Sequence, residues 1–454
     1  MNLRALLLIF TAAVVACFVG FYNNFPLVFP DTGTYISSGF YNEVPIDRPI
    51  FYGWFLRHVS LAESLWLAVL GQSFLLALLL YYFFRQFVEA RYREVLFLGF
   101  VFFCTLFTGL SVHVSALLPD IFAPMMMLGL GLLLLGPGLK VRDQVVVGLI
   151  LFFSMAVHYA HLFTAFLILG AVSLLYVFYR KRALIRLRPL VVTWGVVLLS
   201  ALLIPTTNWM MGAGFGLSQG GHVFLMQRFV HWGVLEEYLD DACPEKEYRF
   251  CEFKDEIPRD FLWNPESPLY KTGGWLENKR EYQAITHDIL TDWQYLRVIL
   301  ARSLETSVEL FFSFDVGDTT APQLEGSSPF ETIKMRFPEH QRRYLFSRQS
   351  FRKLDFTLLN YVQQVVLLGG LFISIILLLS KKITLPQKML IGFFLICLAA
   401  NAVVCGPLSG VFARYQSRAM WLLLLPLFVL MARYPWFGRR WEWWEVKEEA
   451  EGKS

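Results

Sequence analysis

The chain has 454 residues and a formal net charge of +4; 56% of it is hydrophobic, 17% aromatic and only 17% charged, with a mean hydropathy of +0.50. A soluble chain of this length carries about 25% charge, and several runs here approach the roughly 20 apolar residues that cross a bilayer, so a soluble globular protein is excluded. The Lys and Arg residues sit mostly in short loops between apolar runs, which is a topology signal and not a nucleic-acid patch, and no nucleic-acid partner is expected.

The apolar runs fall at 4–22, 61–84, 94–110, 121–138, 144–157, 160–179, 190–212, 356–380, 388–405 and 419–434. The expected fold class is an all-α polytopic membrane protein of about ten transmembrane helices. The N-terminal run MNLRALLLIFTAAVVACFVGFY reads as a signal anchor, with a cleaved signal peptide as the alternative. The loop with Arg85, Arg91 and Arg93, the pair Lys140 and Arg142, the run RKRALIRLR at 180–188, then Lys381, Lys382 and Lys388, and the tail pair Arg439 and Arg440 mark one side. The opposite short loops are poor in positive charge. Both termini are therefore expected in the cytoplasm, with loops 23–60, 111–120, 213–355 and 406–418 outside.

This gives four parts: an N-terminal transmembrane module 1–212 with a long first outer loop (23–60), an outer domain 213–355, C-terminal transmembrane helices 356–434 and a tail 435–454. The apolar stretch 144–179 must fold back on itself near His158 and His161, leaving a first arm of about 14 residues, short for a span. The outer insert opens on GAGFGLSQGGHVF, carries a helical-looking run over 280–312 with apolar residues three and four apart, and continues into the loop DVGDTTAPQLEGSSP. It is expected to be mainly helical and to rest on the mouth of the membrane part. The tail WEWWEVKEEAEGKS reads as an interfacial aromatic patch followed by an acidic end.

Cys17, Cys104, Cys397 and Cys405 lie in or beside apolar runs and read as small packing residues. Cys243 and Cys251 flank the polar PEKEYRF in the insert. Outside the cytoplasm a disulfide between them fits, free thiols being the alternative; the spacing is poor for zinc.

Chemistry is sought in the first loop, FPDTGTYISSGFYNEVPIDRPIFYGWFLRH, which carries Asp31, Tyr35, Asp47, Arg48, Pro49 and Tyr52. Asp31 either caps a helix starting near Thr32 or presents a carboxylate at headgroup level, with Arg48 available for a phosphate oxygen. Asp120, at the end of SVHVSALLPD, either opens the next helix as a capping carboxylate or faces the same cavity as Asp31. His113 is close to it in sequence. His158 and His161, with Asp120, could ligate a divalent metal, or hydrogen-bond at the polar end of a bundle; no cofactor is required by the sequence. Arg414 and Arg418 precede the last apolar run and either snorkel to headgroups or hold an anion.

These pieces together resemble the GT-C superfamily of membrane glycosyltransferases, which includes protein O-mannosyltransferases and aminoarabinose transferases. The resemblance rests on Asp31, Tyr35, Arg48, Pro49 and Tyr52, then Pro119 and Asp120, then Ala413, Arg414, Tyr415 and Arg418, and covers roughly 1–212 and 356–434. It departs in having a single acid at Asp31 where many relatives have two, and His158-Tyr159-Ala160-His161 where many have Arg-Pro. It implies a polyprenyl-phosphate-linked sugar as donor, drawn from membrane lipid, and an extracytoplasmic acceptor that is a lipid, glycan or protein. It implies Asp31 as general base, with Asp120 as a second catalytic acid. Tyr35, Arg48, Tyr52, His113, His158, His161, Arg414 and Arg418 would contact substrate. The setting it implies is a bacterial cytoplasmic membrane and a cell-envelope pathway. The alternative is a non-catalytic transporter, flippase or assembly component of such a pathway.

Overall fold

The computed structural model describes residues 2–179 and 186–432. Every regular element among them is helical, apart from one parallel bridge between Leu27 and Ala116. In chain order the first helices are α1 (Leu3–Ala16), α2 (Phe18–Asn23), α3 (Thr32–Tyr41), α4 (Phe51–Val59), α5 (Leu65–Phe87), α6 (Ala90–Phe107), α7 (Leu110–Ser115), α8 (Phe122–Leu135), α9 (Val141–Ala156), α10 (Tyr159–Tyr179) and α11 (Leu187–Met210). The insert holds α12 (Gly221–His231), α13 (Val234–Ala242), the short α14 (Pro268–Lys271) and α15 (Gly274–Glu277), α16 (Lys279–Thr291), α17 (Trp293–Phe312), α18 (Ser328–Arg336) and α19 (Pro338–Leu345). The chain ends on α20 (Thr357–Leu379), α21 (Leu385–Ser409), α22 (Ala413–Met420) and α23 (Leu425–Met431).

Five of these, α5, α10, α11, α20 and α21, are long and apolar enough to cross a membrane. The other apolar runs form shorter helices. The first of them is broken at Cys17 into α1 and α2, and α9 has 16 residues. The five long helices differ in cover. α5 and α21 are mostly enclosed by neighbours, whereas α20 presents Leu358, Val365, Phe372 and Leu379 outward, each about two-thirds or more exposed. A continuous apolar flank of this kind is stable against lipid and not against water. The protein has the architecture of a multi-pass membrane protein.

The insert is not one unit. Residues of α12, α13, α16 and the first turns of α17 enclose their own core around Met226, Leu235, Phe250, Tyr282 and Ile285. Phe314, Val316, Phe330, Ile333, Phe337 and Tyr344 instead join the core of the helical bundle. The run 280–312, expected as one helix, is interrupted at Asp292, whose extended backbone (ψ 125°) ends α16 and whose side chain caps α17 through the Gln294 N–H. Cys243 and Cys251 form a disulfide at the end of α13. The tail 435–454, with Arg439 and Arg440, lies outside the described residues, as does most of RKRALIRLR.

Two local devices set the first loop. Residues 26–29 lie as an extended strap between turns at Asn24 and Asp31. On one side Leu27 N–H donates to Ser115 O at 2.9 Å, and Leu117 N–H donates to Leu27 O at 3.0 Å. On the other side the Gln349 side chain bonds both N–H and C=O of Val28, at 3.0 and 2.6 Å. After the strap, α3 and α4 cross at two glycines. A Cβ built on Gly39 would stand 2.0 Å from Gly53 O, and one on Gly53 would stand 2.7 Å from both Gly39 N and Tyr35 O. Backbone contact at that distance leaves no room for any side chain.

Gly53→Ala should therefore force α3 from α4 at a cost of about 1–3 kcal/mol. It is expected to lower the apparent melting midpoint of the detergent-solubilised protein. Gly148→Ala, where a Cβ meets nothing within 4 Å, should leave that midpoint unlowered.

Candidate active site

The strap and the α3–α4 pair carry Asp31 and Arg48 to one place. Asp31 sits at the N-cap position of α3 yet makes no side-chain capping bond. Its two oxygens go to two arginines: Oδ1 accepts from Arg48 Nη2 at 3.2 Å and Oδ2 accepts from Arg414 Nη2 at 3.2 Å. Arg48 is held from two further sides. Its Nε donates to Asp47 at 3.0 Å, and its guanidinium lies 4.9 Å over the Tyr35 ring. Tyr35 meets Tyr52 edge to face at 5.0 Å, and Tyr52 OH donates to Gln72 Oε1 at 3.1 Å. Gln72 in turn donates to Val114 O and Ala116 O, so α5 and the second loop fix the back of the site.

The second acid occupies a different environment. Asp120 lies in a single 3₁₀ turn, Pro119–Ile121, ahead of α8, and its Oδ1 accepts from Arg418 Nη1 at 2.9 Å. Arg418 is 1% exposed, while Asp31 is 27% exposed by its side chain. Arg418 also reaches Asn401 Oδ1 and Cys405 Sγ, both at 3.4 Å. Arg414 and Arg418 stand one turn apart on α22, and the Tyr415 ring lies 5.1 and 5.2 Å from their guanidinium carbons. The turn before α22 needs Gly410, at φ 104°. Beside it, Arg228 of the insert donates to Pro407 O at 2.7 Å, a cation on the carbonyl end of α21.

Neither Asp31 nor Asp120 makes a capping bond; both Asp31 oxygens and Asp120 Oδ1 accept from arginine. Asp120 is enclosed and bonded to Arg418 of α22. His113 Nε2 pairs with Ser417 Oγ at 2.8 Å on the same helix. His158 and His161 border the centre, with ring centroids 5.0 Å apart, and Asp120, Arg418 and Arg414 act on His158 electrostatically. His161 Nδ1 bonds Ser154 O at 2.8 Å, and its buried Nε2 has no partner. The grouping of these two histidines with Asp120 as metal ligands is not formed; among the described residues no set of three His, Cys, Asp or Glu is arranged to hold a metal. Cys243 and Cys251 lie on the insert's own core, apart from this centre. Residues that sequence reasoning passed over are Gln72, Gln349, Asn401, Tyr415 as a packing plate, and Asp47 as the second carboxylate on Arg48. Only Asp47 carried a signal, its adjacency to Arg48.

Burial works to raise the Asp31 carboxyl, but Arg48 and then Arg414 outweigh it and hold it below the usual carboxylate value. A depressed carboxyl gives stability that is complete above its unfolded value near about 3.9 and is lost as pH falls through the lower folded value. The three acids Asp31, Asp47 and Asp120 face the three cations Arg48, Arg414 and Arg418.

The fold and the centre define an all-helical membrane protein with a carboxylate–guanidinium site at one end of its bundle. No protein-family model matches the chain, and no curated protein and no solved structure matches it.

Removing one partner of the enclosed pair leaves an uncompensated charge. Asp120→Asn should cost about 3–5 kcal/mol, and the double change Asp120→Leu/Arg418→Met should recover most of it, measured by thermal unfolding. Asp31→Asn should cost less, since water already reaches that side chain.

Proposed function

We propose that the chain is an integral-membrane glycosyltransferase of GT-C type, moving a sugar from a polyprenyl-phosphate-linked donor to an acceptor on the extracytoplasmic side. In this reading ten helical segments lie in a bacterial cytoplasmic membrane, both termini are cytoplasmic, and the insert faces outside. The observation that carries the reading is the partly exposed Asp31 carboxylate flanked by Arg48 and Arg414. A glycosyl transfer from a lipid phosphate needs one base and a cationic cradle for the leaving group, and these three residues supply both types.

The acceptor hydroxyl oxygen attacks the anomeric carbon while its proton passes to Asp31. The anomeric C–O bond to phosphate breaks, and the polyprenyl phosphate leaves with that electron pair. Arg48 and Arg414 stabilise the charge that develops on the phosphate oxygens. Asp120 and Arg418 take no part in the proton transfer; they hold α22, and with it Arg414, in register. The lipid tail of such a donor matches the uncovered apolar flanks of the bundle, and this reading assigns handling of the acceptor to the insert.

Asp31→Asn should lower transfer by about 10²- to 10⁴-fold without loss of folded protein. The measurement is release of polyprenyl phosphate from a panel of polyprenyl-phosphate sugars by the purified protein in proteoliposomes, with a mixed glycan and lipid acceptor pool. A wild-type protein that releases none from any donor would sink the transferase reading and favour a carrier.

A further inference from the structure

The site poses a conflict that its own geometry resolves. Asp31 cannot act as a free base while each of its oxygens is fixed on a cation, and its charge competes with a phosphate for the Nη2 groups of Arg48 and Arg414. We infer that the Arg48–Arg414 pair is a phosphate site whose resting occupant is the protein's own Asp31 carboxylate, so that binding of the lipid phosphate displaces Asp31 and thereby frees the base. The inference rests on the transferase reading and adds to it an order of events: donor first, acceptor second.

Three observations support it. First, both arginines are held by other groups. Asp47 and the Tyr35 ring orient Arg48, and the Tyr415 ring orients Arg414. If Asp31 leaves, the two guanidinium groups stay where they are, and two adjacent phosphate oxygens can take the places of the two carboxylate oxygens. Second, Asp31 makes no capping bond to α3, so its side chain can turn away without unravelling the helix behind it. Third, acids and arginines in the centre balance, Asp31, Asp47 and Asp120 against Arg48, Arg414 and Arg418. Arg418 is enclosed on Asp120, so every arginine of the centre already faces a carboxylate and an incoming anion competes with one of them. Asp31 is the one to be replaced, being 27% exposed against 15% for Asp47 and 7% for Asp120.

The same exchange closes the cycle. After transfer Asp31 carries the acceptor's proton and is neutral, so it does not compete with the phosphate monoester left on the arginines. Loss of that proton to water restores the carboxylate, which retakes the arginines and expels the lipid phosphate. Asp31 is then both the base and the group that clears the site.

The test compares wild type and Asp31→Asn, full chain in detergent, by calorimetric titration with farnesyl monophosphate and, separately, inorganic phosphate. Removing the competing charge should tighten farnesyl monophosphate binding by about tenfold or more, the size of one charge-assisted contact no longer broken on binding, while transfer is lost. Tightening with both probes assigns recognition to the phosphate group alone; tightening only with farnesyl monophosphate assigns it to a lipid headgroup. Equal or weaker binding by Asp31→Asn, with wild type binding, overturns the exchange and leaves the transferase reading standing. No binding of either probe to either protein removes the phosphate site itself, and with it both readings. Should Asp31→Asn resist purification, Asp31→Ser in isolated membranes gives the same comparison by thermal shift: farnesyl monophosphate should raise its melting midpoint more than that of wild type, and an equal or smaller rise overturns the exchange.

Discussion

The enclosed Arg418–Asp120 ion pair is the constraint on which the site depends. A guanidinium with 1% exposure is expensive to desolvate, and only a well-placed partner offsets that cost. Asp120 can be that partner because Pro119 and a single 3₁₀ turn aim it at α22 before α8 begins. Once Arg418 is fixed, α22 can neither rotate nor slide without breaking the pair. Arg414, one turn earlier, is then delivered to Asp31 at 3.2 Å as a geometric consequence. The outer ion pair is made precise by the inner one, which itself has no access to a substrate.

The strap 26–29 does for the first loop what that pair does for α22. A segment with extended backbone has N–H and C=O groups to satisfy, and here they are satisfied by parts of the chain far away in sequence: the second loop on one side and Gln349 on the other. Asn23 adds a further tie, its side chain accepting from Gln349 N–H at 2.7 Å. The C-terminal part of the insert is therefore structural. It ties down the first loop, while the disulfide-bearing part keeps its own core and meets the bundle along α17, at Gly220, whose N–H donates to Ile46 O at 3.0 Å, and at Arg228. One stretch of polar sequence has two physical jobs, and the division follows where its apolar residues find partners.

Much of this was legible in the sequence because apolar run length and periodicity report helices directly. All ten apolar runs became helices, and the polar residues singled out in the first loop, the second loop and before the last run do converge. What was not legible has a common cause. Gln72, Gln349 and Asn401 act through contacts to residues distant in sequence, and an uncharged amide leaves no local pattern. Local rules also misled where a tertiary partner outbid them: Asp31 and Asp120 stand where capping residues stand, yet a guanidinium is a stronger partner than a backbone N–H and takes the carboxylate. The first apolar run broke into two helices and the fourth gave a helix of 14 residues, for the same reason that composition was informative. Apolarity shows that a segment is buried in lipid or in protein, but not which of the two, so the break at Cys17 and the short α8 were invisible to it.

The two carboxylates show how one type of residue takes two parts. Asp120 and Asp31 each face arginine, but Asp120 is 7% exposed against an Arg418 that is itself enclosed, whereas Asp31 is 27% exposed between two arginines that each have another holder. An ion pair that is enclosed is a rivet; one that is open, on arginines held by other groups, can be exchanged. For a reaction that must bind an anion and free a base at the same spot, an exchangeable carboxylate is an advantage over an empty cationic pocket, because it keeps the arginines apart and neutralised while the site waits. Under the proposed exchange it would also tie the appearance of the base to the arrival of the group it is to act beside.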